Sequence, residues 1–431
     1  MVRVCDAIMG TGKSMAAIAY MNEHPDKKFI YIAPYLDEAT RIMDGCPGLH
    51  FVEPQKTIPK YSYSKLLHTV ALIQGGRNIA TTHQAFKFYT RDMLEYIREH
   101  EYTLIIDESV DVLECFKLSL GDLELLIRAG HVEEDGKEYK LLNDDYTGTA
   151  LSELIRRMKS QELIRADKGS NQRFYFWALP PDLINSFKDV YVLTYLFEGQ
   201  GMYHFMKMYD IPYKNIGIER TADGGYRFSE TSQYVPEYVS HIEDMIHILD
   251  NPKLNGIGDD YHALSMSWFS KSDSDIKQLK NNIYNCFINI WKDLPSEGRM
   301  WGSYDKASQK LQGRGYMNSH VVFNTKAKNE FRERDSLVYC ANLFMNVGER
   351  IFYQSNGIDA DEDMYALSIM VQWIWRSAIR DGKEISIYIP SGRMRWLLKE
   401  WMKSLSSTGG FTGFDSSYER SPNPLKRRAS A

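Results

Sequence analysis

Cysteine is scarce in this chain. The five present (Cys5, Cys46, Cys115, Cys286, Cys340) are odd in number and scattered through 431 residues, which excludes a disulfide framework and a paired Cys-x-x-Cys zinc site. No run approaches the roughly 18 to 20 continuous apolar residues that cross a bilayer, and the first residues lack the basic region and apolar core of a secretory signal. A membrane partner is therefore not expected, and the expected location is cytoplasmic. Charge of one sign is also missing: Lys+Arg 52 against Asp+Glu 57 gives a net charge of −5. That excludes a uniformly basic nucleic-acid coat, although a local basic groove remains compatible with it. Gly 29 and Pro 14 are not in excess, and hydrophobic residues make up 43%, so disorder as the main state is excluded and a sizeable core can be buried. At about 150 residues per domain, the length allows two or three domains.

The chain alternates strand and helix signals. Residues 2–7, 29–33, 78–82, 104–106 and 190–194 are short apolar runs that read as buried strands, separated by helix-forming stretches such as 14–22 and 85–98. A parallel sheet covered by helices on both faces follows. Between 110 and 180 the signal turns to helical stretches with polar turns at 133–136 and 167–170, which reads as an insertion. A second series follows, with helices expected over 239–249, 275–291, 336–344, 366–379 and 394–402, and strands over 263–268, 321–323 and 385–389. From 404 on, Ser, Thr, Gly and Pro dominate and end in Lys426, Arg427 and Arg428, a tail-like composition. The expected organisation is an N-terminal domain over 1–225 with a helical insertion at about 111–180, a C-terminal domain over 226–403, and a flexible tail over 404–431.

Ala7-Ile8-Met9-Gly10-Thr11-Gly12-Lys13-Ser14 fits the P-loop pattern in its relaxed form, with Ala7 where the first Gly usually stands. Gly10 and Gly12 let backbone N–H groups wrap phosphate oxygens, with Thr11 between them. Lys13 reaches the β and γ phosphates, and Ser14 offers a hydroxyl to Mg²⁺. The plainer reading is a Gly-rich turn, but a strand precedes this one and a helix follows. Leu104-Ile105-Ile106-Asp107-Glu108 then places two carboxylates at the end of an apolar strand. Asp107 suits the metal and Glu108 the attacking water, and the adjacent pair favours an NTPase that couples hydrolysis to motion.

These residues resemble the superfamily 2 helicases, the DEAD/DEAH-like class of ATP-driven nucleic-acid translocases, in the compact form found in bacteriophage replication modules. The resemblance runs from Ala7 to about Met402. Residues 7–14 resemble motif I and Asp107-Glu108-Ser109-Val110 resembles motif II. Tyr31-Ile32-Ala33-Pro34 followed by 38–41 resembles motif Ia, and Ala80-Thr81-Thr82-His83-Gln84 resembles the Thr-rich motif after the third strand. Val192-Leu193-Thr194-Tyr195-Leu196 stands at motif III, where Tyr195 and Leu196 depart from the pattern and only Thr194 carries over as a coupling residue. Gln372 to Arg380 resembles motif VI, with its arginines four and eight positions after Gln372, so either Arg376 or Arg380 could be the finger. At these spacings Gln372, Arg376 and Arg380 would share one helix face.

The resemblance implies two RecA-like domains with an ATP cleft between them, ATP and Mg²⁺ as cofactors, and single-stranded or forked DNA as partner alongside replication proteins. If the chain is viral, its location would be the host cytoplasm. It also implies backbone contacts from Pro34, Thr81, Thr82 and His83 in the first domain and from Lys326 and Asn329 in the second. Two of these have plainer readings, since a strand-terminal Thr-Thr often caps a helix and His83 could be a hydrogen-bonded structural residue. Three other functions share part of this pattern. A packaging ATPase would usually carry a nuclease domain, a small-molecule kinase is disfavoured by the Asp-Glu pair, and an ATP-switched nucleic-acid-binding loader would bind without unwinding.

Overall fold

The computed structural model describes residues 1–148, 150–168, 172–270, 273–323, 329–411 and 413–414. The chain divides into two compact units. One comprises Met1–Ile8, Gly12–Tyr234 and Asn346–Ala360, and the other Met9–Thr11, Val235–Met345 and the chain from Asp361 on.

The first unit is built on a seven-stranded sheet of β1 (Val2–Asp6), β2 (Phe29–Ala33), β3 (Ile79–Thr82), β4 (Thr103–Asp107), β10 (Asp189–Thr194), β11 (Tyr213–Arg220) and β12 (Tyr226–Ser229). Its order is β12-β11-β1-β10-β4-β2-β3. Every pair is parallel except the β11–β12 hairpin. Strands covered on both faces read as unbroken apolar runs, and β2 and β4 are buried at all five positions. Alternate residues feed two cores: Val4, Ile30, Ile32, Leu104 and Ile106 face one layer, while Cys5, Phe29, Tyr31, Ile105 and Leu193 face the other.

The insertion corrects the helical expectation. Strands β5 (Leu113–Phe116), β6 (Val132–Asp135), β7 (Glu138–Leu141), β8 (Glu162–Lys168) and β9 (Gln172–Ala178) form an antiparallel sheet in the order β5-β9-β8-β7-β6, with two helices, Leu120–Arg128 and Ser152–Met158. The aromatic run in β9 pairs with β8 over seven residues, Glu162 opposite Ala178 through Lys168 opposite Gln172, and aromatic side chains pack well on a pleated surface. The polar stretch 133–136 is the end of β6 and its turn, where Gly136 takes φ +65°. The helix Val347–Ser355, far along the chain, packs on this sheet. There Phe352 meets Phe176 at 5.0 Å between ring centroids, and a Cβ on Gly348 would stand 2.8 Å from Phe174.

The second unit carries a four-stranded, all-parallel sheet of β13 (Ile246–Ile248), β14 (Arg299–Gly302), β15 (Ser336–Tyr339) and β16 (Ile385–Tyr388), in the order β13-β16-β15-β14. The parallel-sheet α/β organisation expected from the sequence is therefore present, with local corrections. Residues 336–339 form a central strand instead of a helix, because a short, fully buried apolar run has the same pattern in either state. Residues 263–268 form turns around Leu264 at φ +59°, and 321–323 do not form a strand. A division at 225 would split the β11–β12 hairpin. A tail starting at 404 would begin inside the helix Gly392–Thr408, and Lys426, Arg427 and Arg428 lie outside the described residues. No described helix is long and apolar enough to cross a membrane.

Candidate functional site

Three adjacent strands of the first sheet, β1, β10 and β4, end side by side at their carboxyl edge, where ligands of open parallel sheets bind. Beyond β1 the chain turns through Gly10 at φ +85° and Gly12 at φ +87°, a region that side chains rarely adopt. The helix Lys13–Glu23 starts with no side-chain cap on its N-terminus, so its first N–H groups and dipole are available to an anion. Lys13 Nζ folds back to donate to the Ala7 and Ile8 carbonyls, the latter at 3.1 Å. Its burial lowers the lysine pKa, against the attraction of Cys5, Asp107, Asp6 and Glu108.

Asp107 ends β4 and gathers the polar groups of the site. Its Oδ2 accepts from Ser14 Oγ at 3.1 Å and from the Tyr31 hydroxyl at 2.6 Å, and Arg41 stands 4.0 Å away. Full burial, followed by the Asp107 charge, pushes the Tyr31 phenol well above its ordinary value, which keeps it a donor. Ser14 and Asp107 are hard oxygen ligands already side by side, a donor set that suits Mg²⁺ shared with a phosphate. Glu108 is held at φ +60°, with its N–H bonded to the Leu193 carbonyl at 2.9 Å. A non-glycine residue in that region costs on the order of 1–3 kcal/mol and points to a functional constraint.

The end of β10 is fixed from two directions. Thr194 Oγ1 donates to Gln200 Oε1 at 2.8 Å, and Gln200 Nε2 donates to the Tyr195 carbonyl at 2.8 Å. Asp6, at the end of β1, accepts from the N–H groups of Leu196 at 2.8 Å and Phe197 at 3.0 Å. Burial raises the Asp6 pKa, and those two N–H groups and Lys13 oppose the rise. Tyr31 and Arg41 stand in the stretch that resembles motif Ia but carried no assigned link to Asp107, and Asp6 and Gln200 were missed from sequence. The one available signal was Tyr31 itself, a polar-tipped ring inside the run Phe29-Ile30-Tyr31-Ile32-Ala33, since a buried Tyr hydroxyl usually finds a partner.

The expected nucleic-acid residues fare differently. Pro34 and Thr82 are half-buried, and Thr82 Oγ1 accepts from the Ala85 N–H at 3.4 Å, capping the helix His83–Phe86. Thr81 is fully buried within the sheet, and the His83 ring bonds the Asp107 carbonyl at 2.9 Å. Neither offers the surface expected of it, because the strand end turns both side chains inward. Lys326 lies outside the described residues, as does the side chain of Asn329, whose backbone belongs to the turn Asn329–Phe331.

The shared motif VI helix face is also corrected. The helix Glu362–Ile374 stops two residues before Arg376, where Ser377 Oγ donates to the Ile374 carbonyl at 2.6 Å. The Arg376 guanidinium, 7% exposed, donates to the Val322 and Phe323 carbonyls at 3.1 and 3.0 Å. Arg380 sits in the separate turn Ala378–Asp381 and is half-buried, as is Gln372.

Residues 240–402 match the profile of the YonV C-terminal Rossmann-like domain. Among solved structures, the chain is similar to Xpd4 of S. tokodaii, with 12% identity, 93% of each chain covered and a TM-score of 0.45. It is also similar to the NS3-like helicase from Alongshan virus, with 10% identity, 91% of this chain and 73% of that one covered, and a TM-score of 0.32; both scores are too low to assign a shared architecture. The SPbeta prophage-derived uncharacterized protein YonV of Bacillus subtilis (strain 168) is 37% identical over 412 residues, covering 94% of this chain and 99% of its own. On that similarity across nearly the whole length of both proteins, the chain belongs to the YonV family.

Proposed function

We propose that the chain is an ATP-driven nucleic-acid translocase or helicase. The observation that carries this reading is the convergence of Lys13, Ser14, Asp107 and Glu108 at the carboxyl ends of β1 and β4, which flank β10, with Ser14 Oγ 3.1 Å from Asp107 Oδ2. P-loop amides and Lys13 bind the β and γ phosphates of ATP, and Ser14 and Asp107 hold Mg²⁺. The metal supplies charge neutralisation at the transferring phosphoryl group. Glu108 orients the attacking water and accepts its proton, a role typically worth 10²–10⁴ in rate. Thr194, held by Gln200, reports the nucleotide state to the rest of the unit.

Arg380 is our candidate for the arginine that completes the site, because Arg376 is engaged with the carbonyls of its own unit. Pro34 and Thr82 remain our candidates for backbone contact with nucleic acid. The prophage origin of the Bacillus subtilis relative fits a role in the replication of a phage element, with single-stranded or forked DNA as the track. Phosphate release by the full chain, measured with and without single-stranded DNA, duplex DNA and RNA, tests the reading. Stimulation by at least one nucleic acid is expected, and no stimulation by any of them overturns the motor.

A further inference from the structure

The segment 54–64 follows Val52, which bridges Ile79 in parallel at the start of β3, and leads into the helix Lys65–Gln74 that precedes β3. Four strand spacings separate β1 from β3, roughly 19 Å at about 4.8 Å each, so a ligand here does not compete with one at Lys13.

The segment is built to display a ring. After the turn Pro59–Tyr61, Ser62 and Tyr63 take φ +51° and +57° in succession, a conformation disfavoured for side-chain-bearing residues. Tyr61 fixes the base of the loop by stacking on His68, with 4.8 Å between centroids and an 11° interplanar angle. His68 Nδ1 accepts from the Gln55 N–H at 3.0 Å, and Ser64 Oγ caps the following helix through the Leu67 N–H. With both ends held, Tyr63 stands 65% exposed. Lys56 and Lys60 are exposed on the same segment, Lys60 with its Nζ over the Tyr61 ring, and 54–64 contains no acidic residue. The nearby Glu53 is paired with Lys65 at 3.6 Å.

An outward aromatic ring flanked by cations on a strained loop is the chemistry that binds single strands, the ring stacking on a base and the lysines on phosphates. We infer that 54–64 is a stacking platform for single-stranded nucleic acid, with Tyr63 against a base and Lys56 and Lys60 against the backbone. The inference rests on the nucleic-acid reading above and assigns that partner a place.

The test is fluorescence anisotropy of labelled oligo-dT, oligo-U and an abasic oligomer with the full chain, across a salt series. Tyr63→Ala is expected to weaken oligo-dT or oligo-U binding about tenfold and to leave abasic binding unchanged, while Tyr63→Phe retains wild-type affinity. Lys60→Ala is expected to lower the slope of log affinity against log salt by about 0.7. Because these side chains are exposed, the thermal midpoints should match wild type. Wild-type affinity in Tyr63→Ala overturns the platform and leaves the motor reading standing. A wild-type chain that hydrolyses ATP but binds none of the three oligomers overturns both.

Discussion

The hydroxyl of Tyr31 donates at 2.6 Å to the same Asp107 oxygen that accepts Ser14 Oγ. A tyrosine in the middle of a buried strand thereby sets the position of the carboxylate proposed to hold the metal. Removing an outer-shell partner of a metal ligand typically costs 10–100-fold in metal affinity or activity. Tyr31→Phe should therefore shift the Mg²⁺ concentration giving half-maximal ATPase activity upward by about tenfold or more, with ATP binding in the absence of metal little changed. A titration of activity against Mg²⁺ reads this directly, and an unshifted midpoint would show that Tyr31 only packs.

Asp6 and the loop after β10 form a second long-range link. The two N–H groups that Asp6 accepts belong to residues 190 and 191 positions away in sequence. Asp6→Ala leaves both donors buried without that partner, at a cost of about 1–3 kcal/mol each, and it frees the segment that carries Thr194. We expect a lower urea midpoint together with weaker stimulation of ATPase by nucleic acid. Loss of stability with full stimulation would confine Asp6 to the fold.

Arg376 and Arg380 separate two roles that their spacing assigned to one helix face. Arg376→Ala abandons the Val322 and Phe323 carbonyls and should destabilise the second unit by about 2–4 kcal/mol. Arg380→Ala should lower the ATPase turnover number by more than any accompanying loss of stability accounts for. Calorimetry and steady-state kinetics on the two variants decide between them, and the reverse pattern would return the finger to Arg376.

Stability should depend on pH through two acids of the first unit. Burial pushes Glu162 and Glu349 up to about 7, assisted by the charge of Glu138 at the first and Asp111 at the second. Their folded values exceed the unfolded ones, so the native state holds these protons more tightly. This contribution is complete below about pH 4.5 and is lost as pH rises through 7. Glu349→Gln, which is neutral at every pH, should therefore match wild type near pH 5 and exceed it at pH 8 by on the order of 1–3 kcal/mol. Denaturant midpoints at the two pH values read the difference, and equal midpoints at pH 8 would place the Glu349 proton elsewhere.

The parts legible in sequence were those whose signal is local. Lys13, Ser14, Asp107 and Glu108 sit in short motifs flanked by a strand and a helix, and the structure brings them to one sheet edge. Tyr31, Asp6 and Gln200 were not legible, because their roles depend on partners set by the register of distant strands. Strand β15 was mistaken for a helix because its four residues are all buried and carry no period. The insertion was misread because helices and antiparallel strands share its 70-residue stretch, and the pairing of β8 with β9 is written in two separated segments. The helix expected to carry Arg376 ends at Ile374, whose carbonyl accepts from the buried Ser377 hydroxyl three residues on, a short-range contact that hydrophobic periodicity does not mark.

The role of Glu108 is the centre of the account, and single-turnover hydrolysis by Glu108→Gln, with ATP binding measured in parallel, tests it most directly. The account predicts that the variant binds Mg-ATP with near wild-type affinity and hydrolyses it at least 10²-fold more slowly, with or without single-stranded DNA. Hydrolysis at the wild-type rate by a variant that still binds ATP would contradict the assigned chemistry.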